Sequence, residues 1–254
     1  MIVERIPKIG ERQIERRLAR LSRTPVNYDP AALDLDHPPP GWNIDRRRQP
    51  LPSEAPGAPV SGGSWEIACR LIRGYEFADP SLVRAHYDPH RPLEGREMLL
   101  ELRALGLISV FVGVRVVQVY NENRQVDGRE ARVFGWAYRT LEGHVEQGQM
   151  DWQVWKWPAT GEVEFRVHAV SRTAPIANPV VRIGFWALKG HERSVFLDST
   201  KRRMRTLTEL ALADEGRGDR VRQAASELTA RRVPAGDRSH EEVARNVERQ
   251  VPPR

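Results

Sequence analysis

The stretch Ala131–Arg172, ARVFGWAYRTLEGHVEQGQMDWQVWKWPATGEVEFRVHAVSR, decides the fold. It predicts antiparallel strands carrying four of the chain's seven tryptophans. In Glu162–Val170, Val163, Phe165, Val167 and Ala169 fall on one face, and Glu162, Glu164, Arg166 and His168 on the other. A period of two with one polar face marks a half-buried antiparallel strand. Pro158–Gly161 is a turn, because proline fixes φ and glycine frees it where the chain reverses. Before that turn, Trp152 and Val154 share one face while Trp155 and Trp157 take the other. Earlier still, Phe134, Trp136 and Tyr138 form an aromatic face opposite Val133, Gly135 and Ala137. The connector Thr140–Gly148 is rich in turn residues and holds His144.

Working outward, Arg96–Leu105 and Ile108–Tyr120 predict two further strands with a turn near Gly106. Val110, Val112, Val114 and Val116 share a face; Phe111, Val117 and Val119 lie on the other with Arg115 among them. The β-branched run favours a strand over a helix. Asn121–Gly128 reads as a polar hairpin loop ending in the turn signal Asp127–Gly128. The middle of the chain is thus a meander of about five strands. After Arg172 the period changes. Pro175 and Pro179 end the last strand, and Pro179 suits the first turn of a helix. Phe196, Thr200, Met204, Leu207 and Ala211 fit one helical stripe, and Val181, Phe185 and Leu188 an earlier one. Gly184 and Gly190 are places where this helix could kink or divide. Lys201, Arg202, Arg203 and Arg205 read as its solvated side.

Upstream, Gly41–Gln49 predicts a first strand. Ser64 is placed to cap a helix with Glu66 in its first turn and Trp65, Ala68, Cys69 and Ile72 as its apolar stripe. Gly74 and Pro80 bound that helix. Asp79–Pro92 reads as a loop or short helix. Its His86, Asp88 and His90 are interrupted by proline and suit a surface loop better than a metal site.

Three segments follow. Residues 1–23 form a basic amphipathic N-terminal arm, with Ile14, Leu18 and Leu21 among Arg12, Arg16, Arg17 and Arg20. The narrow stripe favours a helix packed on the domain over one lying in an anionic membrane interface. Residues 24–213 form the domain, its Thr24–Pro59 part rich in proline. Residues 214–254 have mixed charge and little apolar content, and read as a disordered tail.

Of 254 residues, 40% are hydrophobic, and mean hydropathy is -0.56. No apolar run approaches the roughly 18 residues of a membrane span, and no apolar signal-peptide core opens the chain. The single cysteine, Cys69, forms no internal disulfide and reads as a small core residue. The expected setting is cytoplasmic. A net charge of +6 allows weak attraction to anionic surfaces, and no specific nucleic-acid binding is expected.

The order of elements gives an α+β fold: a curved antiparallel sheet gripping a long C-terminal helix. The concave face is assigned Val112, Val114, Phe134, Trp136, Tyr138, Trp152, Val154, Phe165 and Val167. Large aromatics facing smaller positions favour a small-molecule cavity between sheet and helix over a fully packed core. The candidate ligand-binding residues are Phe134, Trp136, Tyr138, His144, Trp152, Phe165 and Arg172. His144, between Glu142 and Glu146, is either an acid/base or polar anchor at the cavity mouth or a loop histidine bonded to backbone. Arg172 either meets a ligand carboxylate or phosphate or closes the strand end. The sequence contains no Gly-rich phosphate loop, no HExxH and no nucleophile elbow, and no cofactor or metal is expected.

The runs FGWAYRTLEGHVEQG (Phe134–Gly148) and FRVHAVSR (Phe165–Arg172), with the Arg-rich final helix, resemble an uncharacterised domain-of-unknown-function family. That family's pattern is an aromatic-rich strand, then T-L-x-G-H, then G-E-E. It is placed near the START-like (SRPBCC) helix-grip superfamily. The resemblance covers about Thr24–Ala213 and rests on Thr140, Leu141, Gly143, His144 and Gly148. Gln149 and Met150 stand where two acidic residues are expected, which weakens any acid/base role there. The resemblance implies a fold and no known activity. Three functions are therefore weighed. The leading one is a module that binds a hydrophobic small molecule or lipid between sheet and helix. The second is a cyclase, hydrolase or isomerase using the same cavity with His144. The third is a protein that meets membrane or nucleic acid through basic helices.

Overall fold

The computed structural model describes residues 10–104, 108–175 and 179–213, with the side chains of the last segment described from Arg193 onward. The expected tail at 214–254, the turn at Gly106 and the Val181–Phe185–Leu188 stripe lie outside the described residues. The order is α1 (Glu11–Leu21), β1 (Asn43–Leu51), α2 (Ser64–Arg73), β2 (Val83–His86), β3 (Glu97–Ala104), β4 (Ile108–Val126), β5 (Arg129–Thr140), β6 (Glu146–Lys156), β7 (Val163–Thr173) and α3 (Pro179–Ala213). The strands form one antiparallel sheet in the order β1-β7-β6-β5-β4-β3-β2. Six strands are thus a meander, and β1 closes onto β7 from the far end of the chain. The sheet curves around α2 and α3, which is the helix-grip arrangement expected from the sequence.

Alternation sorts the side chains as predicted. All nine residues assigned to the concave face fall in one buried cluster with Trp65, Ile72, Phe77, Leu197, Met204 and Leu207 from the helical side. Two smaller clusters cover the convex face. Tyr120, Ala131, Val133, Trp155 and Trp157 make one, and Leu21, Leu99 and Leu141 the other. Ile14 and Leu18 of α1 pack on this last cluster, so the apolar stripe of the N-terminal helix is spent on the sheet. Arg115 holds α1 in place by donating to the carbonyls of Leu21 and Thr24 at the helix end, where carbonyls lack intrahelical partners.

Four local expectations are corrected. First, Asn121–Val126 is strand, not loop, and the hairpin turn is only Asp127–Gly128, with φ of 52° and 73°. Its polar residues pair across the strands: Arg132 donates to Asn121 and Asn123, and Asn123 donates to Glu130. Second, a register shift between Val116 and Gln118 inserts a bulge in β4. A bulge adds one residue and reverses the alternation beyond it. Val119 therefore turns to the concave core and Tyr120 to the convex face. Third, Asp79–Pro92 contains the short edge strand β2. Fourth, Ser64 does not cap α2, because its hydroxyl makes no hydrogen bond. Glu54 substitutes from a distance, accepting from Trp65 N at 2.7 Å and Val60 N at 3.0 Å. Lys156, fully buried, donates to Glu54 and to the carbonyls of Ala55 and Ala58.

Candidate functional site

The end of α2 builds the centre of the concave face. Tyr75 N donates to Ile72 O and Glu76 N to Leu71 O, the paired bonds of a Schellman turn. The left-handed position in that turn is normally glycine, yet it is Tyr75, at φ 58°. A bulky side chain there costs about 1–2 kcal/mol. The turn aims Tyr75 and Phe77 into the sheet. Phe77 lies 4.5 Å from Trp152 and 5.7 Å from Phe165; Tyr75 lies 6.1 Å from both Trp136 and Trp152. Phe196 of α3 meets Trp152 edge-on at 6.3 Å. The indole of Trp136 donates to Ile72 O at 3.0 Å.

Four of the predicted ligand-binding residues, Phe134, Trp136, Trp152 and Phe165, are buried in this layer, and Tyr138 closes its end toward Arg193 and Glu146. Burial raises the Tyr75 and Tyr138 hydroxyls above the ordinary phenol range. The Tyr138 hydroxyl donates to Met150 Sδ at 3.3 Å, a weak acceptor. Tyr75, Phe77 and Arg193 were not among the predicted residues. An aromatic pair directly after a helix-ending glycine was the available signal for the first two. Nothing local marks Arg193.

Arg193 sits where α3 meets β1, β6 and β7. Its guanidinium donates to Asp45 at 2.6 Å, Glu146 at 2.9 Å and Ser171 Oγ. His144 is next to this corner but turned to the backbone: Nδ1 accepts from Glu146 N at 2.9 Å. Burial pushes its imidazole down to about 4. The connector is a latch for the segment before β1. Thr140 Oγ1 donates to Asn27, Asn27 donates to Glu146 O, and Leu141 is fully buried against α1. Arg172 is not brought to the aromatic layer. It is exposed, bonded to Gln147 at 2.7 Å and lying 4.6 Å over the Trp42 ring.

On the convex face, Arg166 covers Trp155 and Arg129 covers Trp157, at 4.0 and 4.4 Å. A cleft of about 320 Å³ opens beside them, lined by Arg48, Arg129, Trp157, Glu162 and Arg166. Its three arginines are balanced by Asp127 and Glu162 in the lining and by Glu164 beside it, so it offers no net charge to an anion. Among the described residues no group of His, Cys, Asp or Glu is arranged to hold a metal ion, and no helix is long and apolar enough to cross a membrane. His86 faces Glu101 and Asp88 accepts from His90 N.

Among solved structures, the chain is similar to Ara h 8.0201, at 10% identity over 65% of this chain and 98% of that one, with a TM-score of 0.36. It is similar to the ginseng major latex-like protein 151 from Panax ginseng at 11% identity, over 65% and 97% of the two chains, TM-score 0.35. The di-domain ARO/CYC StfQ from the steffimycin biosynthetic pathway matches at 11% identity and a TM-score of 0.39. That match covers 65% of this chain and 51% of StfQ. At these identities the likeness concerns the fold alone. No curated protein matches the chain. A family model does match, over residues 27–204, from the segment latched by Thr140 to the stripe of α3. The chain therefore belongs to the family described as Domain of unknown function (DUF1990).

Proposed function

We propose that this protein is a binding module that holds a hydrophobic small molecule or lipid between the concave face of its sheet and α3. The observation that carries the reading is Tyr75. Glycine would make the same turn without strain, and the strain is held where the side chain joins the aromatic layer under α3. Strained backbone of this kind clusters at ligand clamps. An aromatic layer with a few polar groups is the usual chemistry of a small-molecule site. An enzyme using His144 is the weaker reading. A general base works best with a pKa near the operating pH, and this imidazole is held at about 4 with Nδ1 engaged. The experiment is native mass spectrometry of the protein purified from its own host. A retained apolar mass that disappears on organic extraction is expected; a ligand-free mass in every preparation, with no uptake of apolar probes afterwards, rejects the module.

A further inference from the structure

Where the concave layer meets α3, three buried polar atoms are without a hydrogen-bond partner: Trp152 Nε1, Thr200 Oγ1 and Arg193 Nη2. Trp152 and Thr200 are fully buried. Each such atom costs about 1–3 kcal/mol when left unpaired in a protein interior. Thr200 departs from its neighbours on the same helix. Thr208 donates to Met204 O at 2.8 Å and Ser199 to Phe196 O at 2.9 Å, the usual backbone solution for helical hydroxyls. Thr200 makes no such bond.

These atoms share one region. Arg193, Phe196 and Thr200 recur at helical spacing and so lie on one face of α3. Arg193 and Thr200, seven residues apart, are separated by about 10 Å along the axis. Phe196 lies between them, against Trp152, and Trp152 meets Tyr75 edge-on. The orphaned atoms therefore run along the interface from its Glu146 end inward.

The chemistry of the set is one-sided. An indole N–H and a guanidinium N–H can only donate, and a threonine hydroxyl can donate. The missing partner is an acceptor. It is also uncharged. Arg193 is already paired with two carboxylates, Asp45 and Glu146, so a third anion would meet repulsion there. The deeper donors are neutral, and a carboxylate buried among them would lose its hydration without an ion partner. We infer that the ligand is a neutral, apolar molecule carrying carbonyl or ether oxygens, which accept from Trp152, Thr200 and Arg193. This inference rests on the binding-module reading and adds the head-group chemistry to it.

The test compares three probes on the intact protein by calorimetry: the dione androst-4-ene-3,17-dione, its oxygen-free parent hydrocarbon androstane, and dodecanoate. The Trp152 indole N–H is followed in parallel by NMR, its resonance assigned from Trp152→Phe. The dione is expected to bind at least tenfold more tightly than androstane and to shift the Trp152 resonance downfield. Thr200→Val, which keeps the shape and removes the hydroxyl, should weaken the dione about fivefold and leave androstane unchanged. Trp152→Phe should act likewise, with melting curves confirming that both variants fold. Equal binding of dione and androstane would overturn the acceptor inference while leaving the module standing. Tighter binding of dodecanoate would overturn neutrality. Binding of none of the three would remove both the inference and the module beneath it.

Discussion

One buried and one half-buried ionisable residue give the molecule opposite responses to pH. Burial pushes the Glu76 carboxyl up from 4.5 to about 8, despite the opposing charges of Arg203 and Arg70. Between those values the unfolded chain releases its proton while the folded chain keeps it, so stability falls as pH rises through that window. Glu76→Gln should flatten this dependence and stabilise the protein at pH 8.5 by about 1–3 kcal/mol, read as a raised urea midpoint. His144 has the other sign. Its pKa is lowered from 6.5 to about 4 by burial, so the stability of the neutral ring is complete above 6.5 and is lost as pH falls toward 4. His144→Gln should lose less of its melting temperature than the parent protein between pH 7 and pH 4.5. An equal loss in both would show that His144 does not govern the acid limb.

At the scale of elements, the N-terminus of α2 depends on a long-range ion pair, since Lys156 on β6 fixes Glu54, 102 positions before it, and Glu54 serves the helix. Removing one member of a buried ion pair strands the other. Lys156→Met should therefore cost about 3–5 kcal/mol in denaturant unfolding, and the double variant Lys156→Met, Glu54→Gln distinctly less. Such elements also mark how far the sequence could be read. Alternation placed β5, β6, β7 and the whole concave face, because each face there meets a different environment. The outer half of β4 reads as a loop because both its faces are polar, and only cross-strand partners such as Arg132 make it a strand. The bulge at Val116–Gln118 leaves no compositional trace, so strict alternation puts Val119 on the wrong face. The site was half legible. Its sheet residues follow the pleat, whereas Tyr75 and Arg193 depend on a turn and on a helix position that only tertiary packing defines. Candidate His144 was noticed for its neighbours in sequence, but its hydrogen bond is to backbone.

Over the whole molecule, the sheet has two covered faces, and α1 is the cover over β3 and β4. Leu99 and Leu141 are 3% and 0% exposed because Leu21, Ile14 and Leu18 lie on them. Removing residues 1–24 also strips Arg115 of two carbonyl acceptors. The shortened chain should melt several degrees lower and self-associate through the uncovered patch, seen by light scattering coupled to size exclusion. A shortened chain that stays monomeric with an unchanged melting temperature would mean that α1 contributes nothing to the domain.

The pairing of β1 with β7 has a consequence in time. Asn43 and its partner Ser171 are 128 residues apart. A ribosome adding about 5–20 residues per second leaves β1 outside the tunnel for about 6–25 s before its partner emerges. During that wait β1 is an unpaired strand in a crowded cell. Its sequence, NIDRRRQPL, puts three consecutive arginines and a proline on it, residues that discourage strands from pairing with the wrong chain. The same strand ends as an edge of the finished sheet, so one short basic run protects the nascent polypeptide first and the mature edge afterwards.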